Sequence, residues 1–193
     1  MERKPLKRYI PKGMEWIRIG WNRISIGESE SLNTGDFKVN GSRDAVIASC
    51  AEVVRDAEHQ IDMVSGDLDP EYFCGTTFFD TLNSVISDRN VHLRIITVVG
   101  PSAKSRMALG TIKDAEAKIE LYTVPQRPTH PFIIADGRHV QIEEPYLPNS
   151  PERVAVTMYD GNYEDWVAPL VRSFNKLLSV ATKESLHEVA VVA

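Results

Sequence analysis

Two short apolar runs, Phe132-Ile133-Ile134-Ala135 and Val140-Gln141-Ile142, stand on either side of the dipeptide Asp136-Gly137. Asp-Gly tolerates the positive φ angles that a two-residue turn demands, so the stretch predicts an antiparallel hairpin. A hairpin fixes which side chains share a face. Counting outward from a two-residue turn pairs Ala135 with Arg138, Ile134 with His139, Ile133 with Val140, Phe132 with Gln141 and His130 with Glu143. In that register Ile133, Val140 and Ile142 form one face. His130, Phe132, Ile134, His139, Gln141 and Glu143 form the other, and two histidines with a carboxylate on a partly covered face make a candidate site.

Around the hairpin, helical and strand periodicities alternate. Alternation at Ile17, Ile19 and Trp21, then Ile24 and Ile26, predicts one or two early strands, and the polar run from Gly27 to Asp36 predicts a loop. Ile47, Cys50, Ala51, Val54 and Ala57 recur at helical spacing behind Ser42, a capping residue. A strand follows at Ile61, a second helix through Phe78, Phe79, Leu82, Val85 and Ile86, and a buried parallel strand over Val91 to Val99 that stops at Gly100-Pro101. A weaker helical pattern spans 102–116. Strands are predicted again at Ile119 to Thr123 and at Val154, Val156 and Met158, then a helix through Val167, Leu170, Val171, Phe174, Leu177 and Leu178. Leu186 to Ala193 reads as a docked or frayed tail. This order predicts an α/β sandwich: a mixed β-sheet with helices on both faces. Ligands in such folds gather beyond the carboxyl ends of parallel strands, here Ser65 to Pro70, Gly100 to Ser102 and Pro125 to His130.

With 193 residues the chain suffices for one core without disulfide or metal staples. Cys50 and Cys74 show no zinc-type spacing and read as free thiols of a reducing compartment. The start lacks the apolar core of a signal peptide, and no run approaches the roughly 18 apolar residues of a membrane span. The expectation is a cytoplasmic protein with no membrane association. Positions 1–23 hold seven Lys/Arg against Glu2 and Glu15, a net of +5; with the whole chain at −5, the remainder carries −10. An acidic body disfavours broad nucleic-acid binding, while the basic arm keeps it open.

The strand followed by Ser65-Gly-Asp-Leu-Asp-Pro70, and the later His130-Pro-Phe-Ile-Ile-Ala-Asp136-Gly, resemble the phospholipase D-like superfamily over roughly Asp36 to Leu178. The resemblance implies a phospholipase D-like sandwich over 36–180, with a basic N-terminal arm at 1–35 and a C-terminal tail at 181–193. Active members carry His-x-Lys and, five residues after the Lys, Asp. The His attacks phosphorus, the Lys binds phosphate oxygens, and two copies of the motif build one site. Anchored on His130, this chain has Phe132 at the Lys position and Asp136 one residue early. Anchored on Asp136, the His and Lys positions become Thr129 and Pro131. Either way the lysine is missing and one copy of the motif is present, so the resemblance implies a catalytically degenerate member and a homodimer. Loss of one such charge-stabilising donor costs about two to three orders of magnitude in rate. Arg127 or Arg138 could substitute, and Arg127 is the better candidate because the counted register puts Arg138 on the opposite face from His130.

Other constellations are weaker. Asp67-Leu-Asp69 is similar to the Asp-x-Asp of haloacid dehalogenases, but Ser65-Gly66 separates it from the strand, and turn or capping aspartates explain it more simply. A zinc site from His130, His139 and Glu143 matches no recognised spacing, and His59, His92 and His187 lack companions. No Walker loop, Gly-x-Ser-x-Gly elbow or dinucleotide-binding glycine turn occurs. No cofactor and no metal are expected. Three readings follow. One is a binding or regulatory module whose cleft, lined by Asp67, Asp69, Arg127, His130, Glu143 and Glu144, holds a small ligand or a partner protein. A second is a divergent phosphodiesterase or nuclease with His130 as catalytic residue. The third is an assembly or scaffold protein using the N-terminal arm. The first is preferred.

Overall fold

The computed structural model describes residues 42–126, 130–143, 155–159 and 167–186, and the backbone of 37–40. The expected early strands, the 27–36 loop, Arg127 and Glu144 lie outside the described residues. Among the described residues eight strands build one sheet: β1 (Phe37–Asn40), β2 (Gln60–Val64), β3 (His92–Thr97), β4 (Ile119–Thr123), β5 (Phe132–Ala135), β6 (His139–Glu143), β7 (Ala155–Met158) and β8 (Thr182–Glu184). Their order across the sheet is β1-β7-β6-β5-β2-β3-β4-β8. β2, β3 and β4 run parallel, and every other neighbouring pair is antiparallel.

Helices α1 (Arg43–Arg55), α2 (Pro70–Phe73), α3 (Thr77–Arg89), α4 (Ala103–Gly110) and α5 (Ala115–Lys118) connect the first strands, and α6 (Ala168–Leu178) follows β7. Local chemistry sets their ends. Ser42 Oγ accepts from the Ala45 amide, and Thr76 Oγ1 accepts from Phe79. Asn90 turns left-handed at φ 59° to close α3, a conformation asparagine tolerates better than most residues. Val46, Ile47, Cys50, Ala51 and Val54 bury one face of α1 and pack with Leu82, Val85 and Ile86 of α3. The second core lies on the opposite face, where Phe174 and Leu170 of α6 meet Val64, Ile96, Phe132, Ile134, Val140, Ile142, Val156 and Met158. Helices therefore cover both faces.

A part-buried polar row crosses the α6 side. Arg94 donates from Nε to Asp62 Oδ1 at 2.7 Å and from Nη2 to Oδ2 at 2.8 Å, and its guanidinium lies 4.8 Å from the Phe174 ring centroid. The hydrogen bond to Asp62 raises the Arg94 pKa further. Gln60 Nε2 donates to the same carboxylate at 3.0 Å, so a charge beneath the helix is fully served.

The hairpin forms, with a register one residue away from the counted one. Asp136 (φ 51°) and Gly137 (φ 65°) adopt the left-handed turn, closed by Arg138 N donating to Ala135 O at 2.9 Å. The ladder then skips Arg138: Ala135 pairs with His139, Ile134 with Val140, Ile133 with Gln141 and Phe132 with Ile142. An extra residue on the second strand is a bulge, and it moves that strand's side chains to the other face relative to the first. Ile133 and Ala135 share a face with His139, Gln141 and Glu143, while Phe132 and Ile134 turn with Val140 and Ile142 toward α6.

Asp136 anchors this arrangement from outside the hairpin. Its amide donates to Gln60 O at 2.9 Å. Its carboxylate accepts from the amides of Glu58 (2.6 Å), His59 (3.0 Å) and Gln60 (2.8 Å). The turn is thereby tied to the start of β2. Beyond the expected elements, β1 adds an antiparallel edge on β7, and β8, inside the segment read as tail, adds the other edge on β4. Among the described residues no helix is long and apolar enough to cross a membrane.

Candidate functional site

Parallel pairing brings the carboxyl ends of β2, β3 and β4 to one rim, stitched by main-chain bonds from Ser65 N to Ile96 O, Val98 N to Gly66 O and Val124 N to Thr97 O, each 2.9 Å. Val64 pairs with Phe132 and Phe132 with Ile142, so the start of β5 and the end of β6 reach the same rim. His130 and Glu143 therefore sit at the sheet end that also carries Asp67 and Asp69.

The acidic loop is held from both sides. Leu68 takes a positive φ of 53° with its side chain fully buried, so the residue between the two aspartates is locked into the core. Ser65 Oγ accepts from Leu68 N at 3.3 Å, and Ser105 Oγ donates to Leu68 O at 2.7 Å. Asp69 caps α2 by accepting from Glu71 N at 2.9 Å, whereas Asp67 is exposed. The two carboxylates thus differ: one serves the main chain and the other faces solvent.

Glu143 is 7% exposed, and Tyr72 Oη on α2 donates to its Oε1 at 3.4 Å. Through this contact the acidic loop meets the hairpin. Tyr72 carried no signal in the sequence, since a tyrosine in Pro-Glu-Tyr-Phe reads as core packing. His130 is half-buried, and its Nδ1 lies 3.2 Å from the main-chain oxygen of Glu143. A carbonyl oxygen only accepts, so we assign the proton to Nδ1, which leaves Nε2 as the ring's acceptor. That tautomer suits a base, a nucleophile or a hydrogen-bond acceptor for a ligand.

The remaining polar residues of the hairpin go elsewhere. Gln141 is completely buried: Ser49 Oγ donates to its Oε1 at 2.8 Å, and its Nε2 donates to Cys50 Sγ at 2.9 Å. Its amide is spent docking α1 on β6. His139 lies at the turn end of β6, with its ring 6.1 Å from that of Tyr159, whose hydroxyl donates to Glu52 Oε2 at 2.6 Å. Burial first, then that bond, raises the Tyr159 pKa well above its ordinary value. Four residues of strand, about 14 Å, separate His139 from Glu143. His130, His139 and Glu143 are therefore not brought together. Among the described residues no group of three or more His, Cys, Asp or Glu side chains is arranged to hold a metal ion.

Phe132 is 4% exposed and packs in the core under α6. The position two residues after His130 is thus built into the apolar interior. Asp136 sits at the opposite end of the hairpin from the rim, on the amides of Glu58, His59 and Gln60.

No family model and no curated protein sequence matches this chain. Solved structures do. Nuc from Salmonella typhimurium, a phospholipase D family member, superposes with a TM-score of 0.54 at 15% identity, over 77% of this chain and 99% of that one. NucT from Helicobacter pylori gives 0.56 at 13% identity, over 77% and 100%. TrmBL2, an archaeal chromatin protein described as showing a novel mode of DNA binding, gives 0.59 at 18% identity, over 90% of this chain and 64% of that one. At such identities the likeness is one of architecture. The mixed sheet, the layers of helices and the rim at the ends of β2, β3 and β4 make this the phospholipase D-like fold.

Proposed function

We infer that this chain is a catalytically degenerate phospholipase D-like domain acting as a homodimeric binding or regulatory module, with its ligand at the rim lined by Asp67, Asp69, His130 and Glu143. The reading also includes Arg127, three residues before His130 in sequence, and Glu144, next to Glu143. The observation that carries it is the environment of Phe132. A lysine two residues after the histidine would have to project toward a phosphate, and here that position is an aromatic side chain packed with Val64, Ile134 and Ile142. Without a cation there, spread negative charge on a phosphoryl group goes unstabilised. The carboxylates of the rim favour a cationic ligand or partner segment over a polyanion. The likeness to TrmBL2 supports a binding role at the level of fold.

A second reading, a divergent phosphodiesterase with His130 as nucleophile or base, draws support from the acceptor state of Nε2. One experiment separates the two. Purified protein is screened against phosphodiester and nucleic-acid substrates, with and without divalent cations, beside His130→Ala. The module reading expects no turnover from either protein. Turnover abolished by His130→Ala would replace it with the enzymatic one.

A further inference from the structure

At the far end of the same rim, across β3 and β4 from His130, lies a second polar cluster that no catalytic reading uses. Arg106 of α4 is 9% exposed, and its Nη2 lies 3.1 Å from Glu184 Oε2 on β8. Its Nη1 donates to the main-chain oxygen of Ser185. Thr123 Oγ1, at the end of β4, donates to the other oxygen of the same carboxylate, Glu184 Oε1, at 2.9 Å. Gly100, at φ 74°, makes room for this: a Cβ there would stand 3.3 Å from Arg106 Nη2 and 3.8 Å from Thr123 Cγ2. A guanidinium, a hydroxyl and a glycine turn at the carboxyl ends of two parallel strands are the parts of an anion site, and here a carboxylate of the chain itself fills it.

The strand that brings this carboxylate is lightly held. β8 has three residues at the edge of the sheet, with Thr182, Lys183 and Ser185 exposed. It pairs with Leu121–Thr123 of β4 and adds one surface ion pair, Lys183 Nζ to Glu120 Oε1 at 2.7 Å, between side chains 62% and 40% exposed. Such pairs contribute little in water. The Glu184 contacts thus tie β8 to the body of the fold, beside Lys183 Nζ 5.9 Å from the Tyr122 ring and the flanking Ala181 and Leu186 packed on the two cores.

We propose that Arg106 and Thr123 form an anion-binding site for a phosphate or carboxylate group, held closed in cis by Glu184, and that an external anion competes with Glu184 and loosens β8 from β4. This site lies at the other end of the rim from His130 and does not rest on the function proposed there. Arg106 carries a fixed positive charge, one route by which an acidic domain accommodates an anion without a lysine after His130.

The test uses the full chain and inorganic phosphate in isothermal titration calorimetry. Glu184→Gln keeps the shape and removes the competing charge. It should bind phosphate at least about tenfold more tightly than the unaltered protein. Arg106→Gln with Glu184→Gln, which removes both charges and leaves no buried ion behind, should lose that gain. Equal phosphate affinity in Glu184→Gln and the unaltered protein, whether both bind or neither does, overturns the proposal, as does undiminished binding by the double variant. Should Glu184→Gln fail to fold, hydrogen exchange on the unaltered protein decides: at matched ionic strength, phosphate in place of chloride should speed exchange at Thr182 to Ser185. Unchanged exchange there overturns the proposal equally.

Discussion

Replacing Asp136 separates its architectural role from a chemical one. Its carboxylate accepts three main-chain amides at the start of β2, at 2.6, 3.0 and 2.8 Å. Two of the three donors belong to exposed residues, Glu58 and His59, so water takes over part of what is lost. Taking about 1 kcal/mol for each bond, below the usual range for a charged acceptor because of that exposure, gives roughly 3 kcal/mol. Alanine must also hold φ 51°, which costs it about 1 kcal/mol more than a residue that tolerates the left-handed region. Asp136→Ala should therefore destabilise by about 3 to 4 kcal/mol. Asp136→Gly, free of the backbone penalty, should fall about 1 kcal/mol short of alanine. Asp136→Asn keeps the oxygen shared by His59 and Gln60, loses the bond to Glu58, and should cost about 1 to 2 kcal/mol. Urea denaturation with unchanged m-values reads the series. A cost for alanine below about 1 kcal/mol, or no difference between alanine and glycine, would refute the assignment of these bonds and this turn.

Phe132→Lys, which places a lysine two residues after His130, should gain no phosphodiesterase activity and lose about 3 kcal/mol or more, because the charge enters the core under α6; native-like stability with turnover would contradict the hairpin register. Arg94→Met should cost about 3 kcal/mol by leaving the buried Asp62 carboxylate without its countercharge and with Gln60 as its remaining donor, and Asp62→Leu added to it should recover much of that in thermal melts; additive losses would argue against the pair. For Tyr159, burial and the Glu52 bond raise the folded pKa above the ordinary 10.0. The protonated phenol is then favoured by folding, so its contribution is complete below the unfolded pKa and is lost as pH rises from there through the folded pKa. The ultraviolet difference between the unaltered protein and Tyr159→Phe should show no phenolate step near pH 10.0, and a step there would disprove the burial argument.

What the sequence made legible follows from how far each signal reaches along the chain. Ser42 and the Ile47-Cys50-Ala51-Val54 spacing specify α1 within about a dozen residues, and the Leu170, Val171, Phe174 stripe does the same for α6. The positive φ angles of Asp136 and Gly137 are equally local. The pairing beyond the turn is not. Skipping Arg138 changes no residue type and breaks no alternation within either strand; the long-range tie between Asp136 and the start of β2 accompanies it. β8 escaped notice because Thr-Lys-Glu at an exposed edge has no apolar periodicity to detect. β1 offers four residues, too few for alternation to register. Arg106, Thr123 and Glu184 come from three separate elements, so their meeting had no sequence signature.

The one-residue slip bears on chemistry as well as packing. In the counted register the Glu143 carboxylate would share a face with His130 and could orient its imidazole as a charged partner. In the folded chain that carboxylate turns with Gln141 toward the side of α1 and α2, where Tyr72 donates to it. Nδ1 of His130 meets the neutral main-chain oxygen of Glu143 instead. A carbonyl fixes the tautomer as well as a carboxylate does, but it offers no charge to stabilise an imidazolium as a proton is taken up. The contact with the Glu143 main-chain oxygen thus orients the ring and assigns the acceptor role to Nε2. The bulge at Arg138 thus sets both ends of the rim: it turns the Glu143 side chain to Tyr72, while Phe132 on the first strand packs with Val140 and Ile142 in the core under α6.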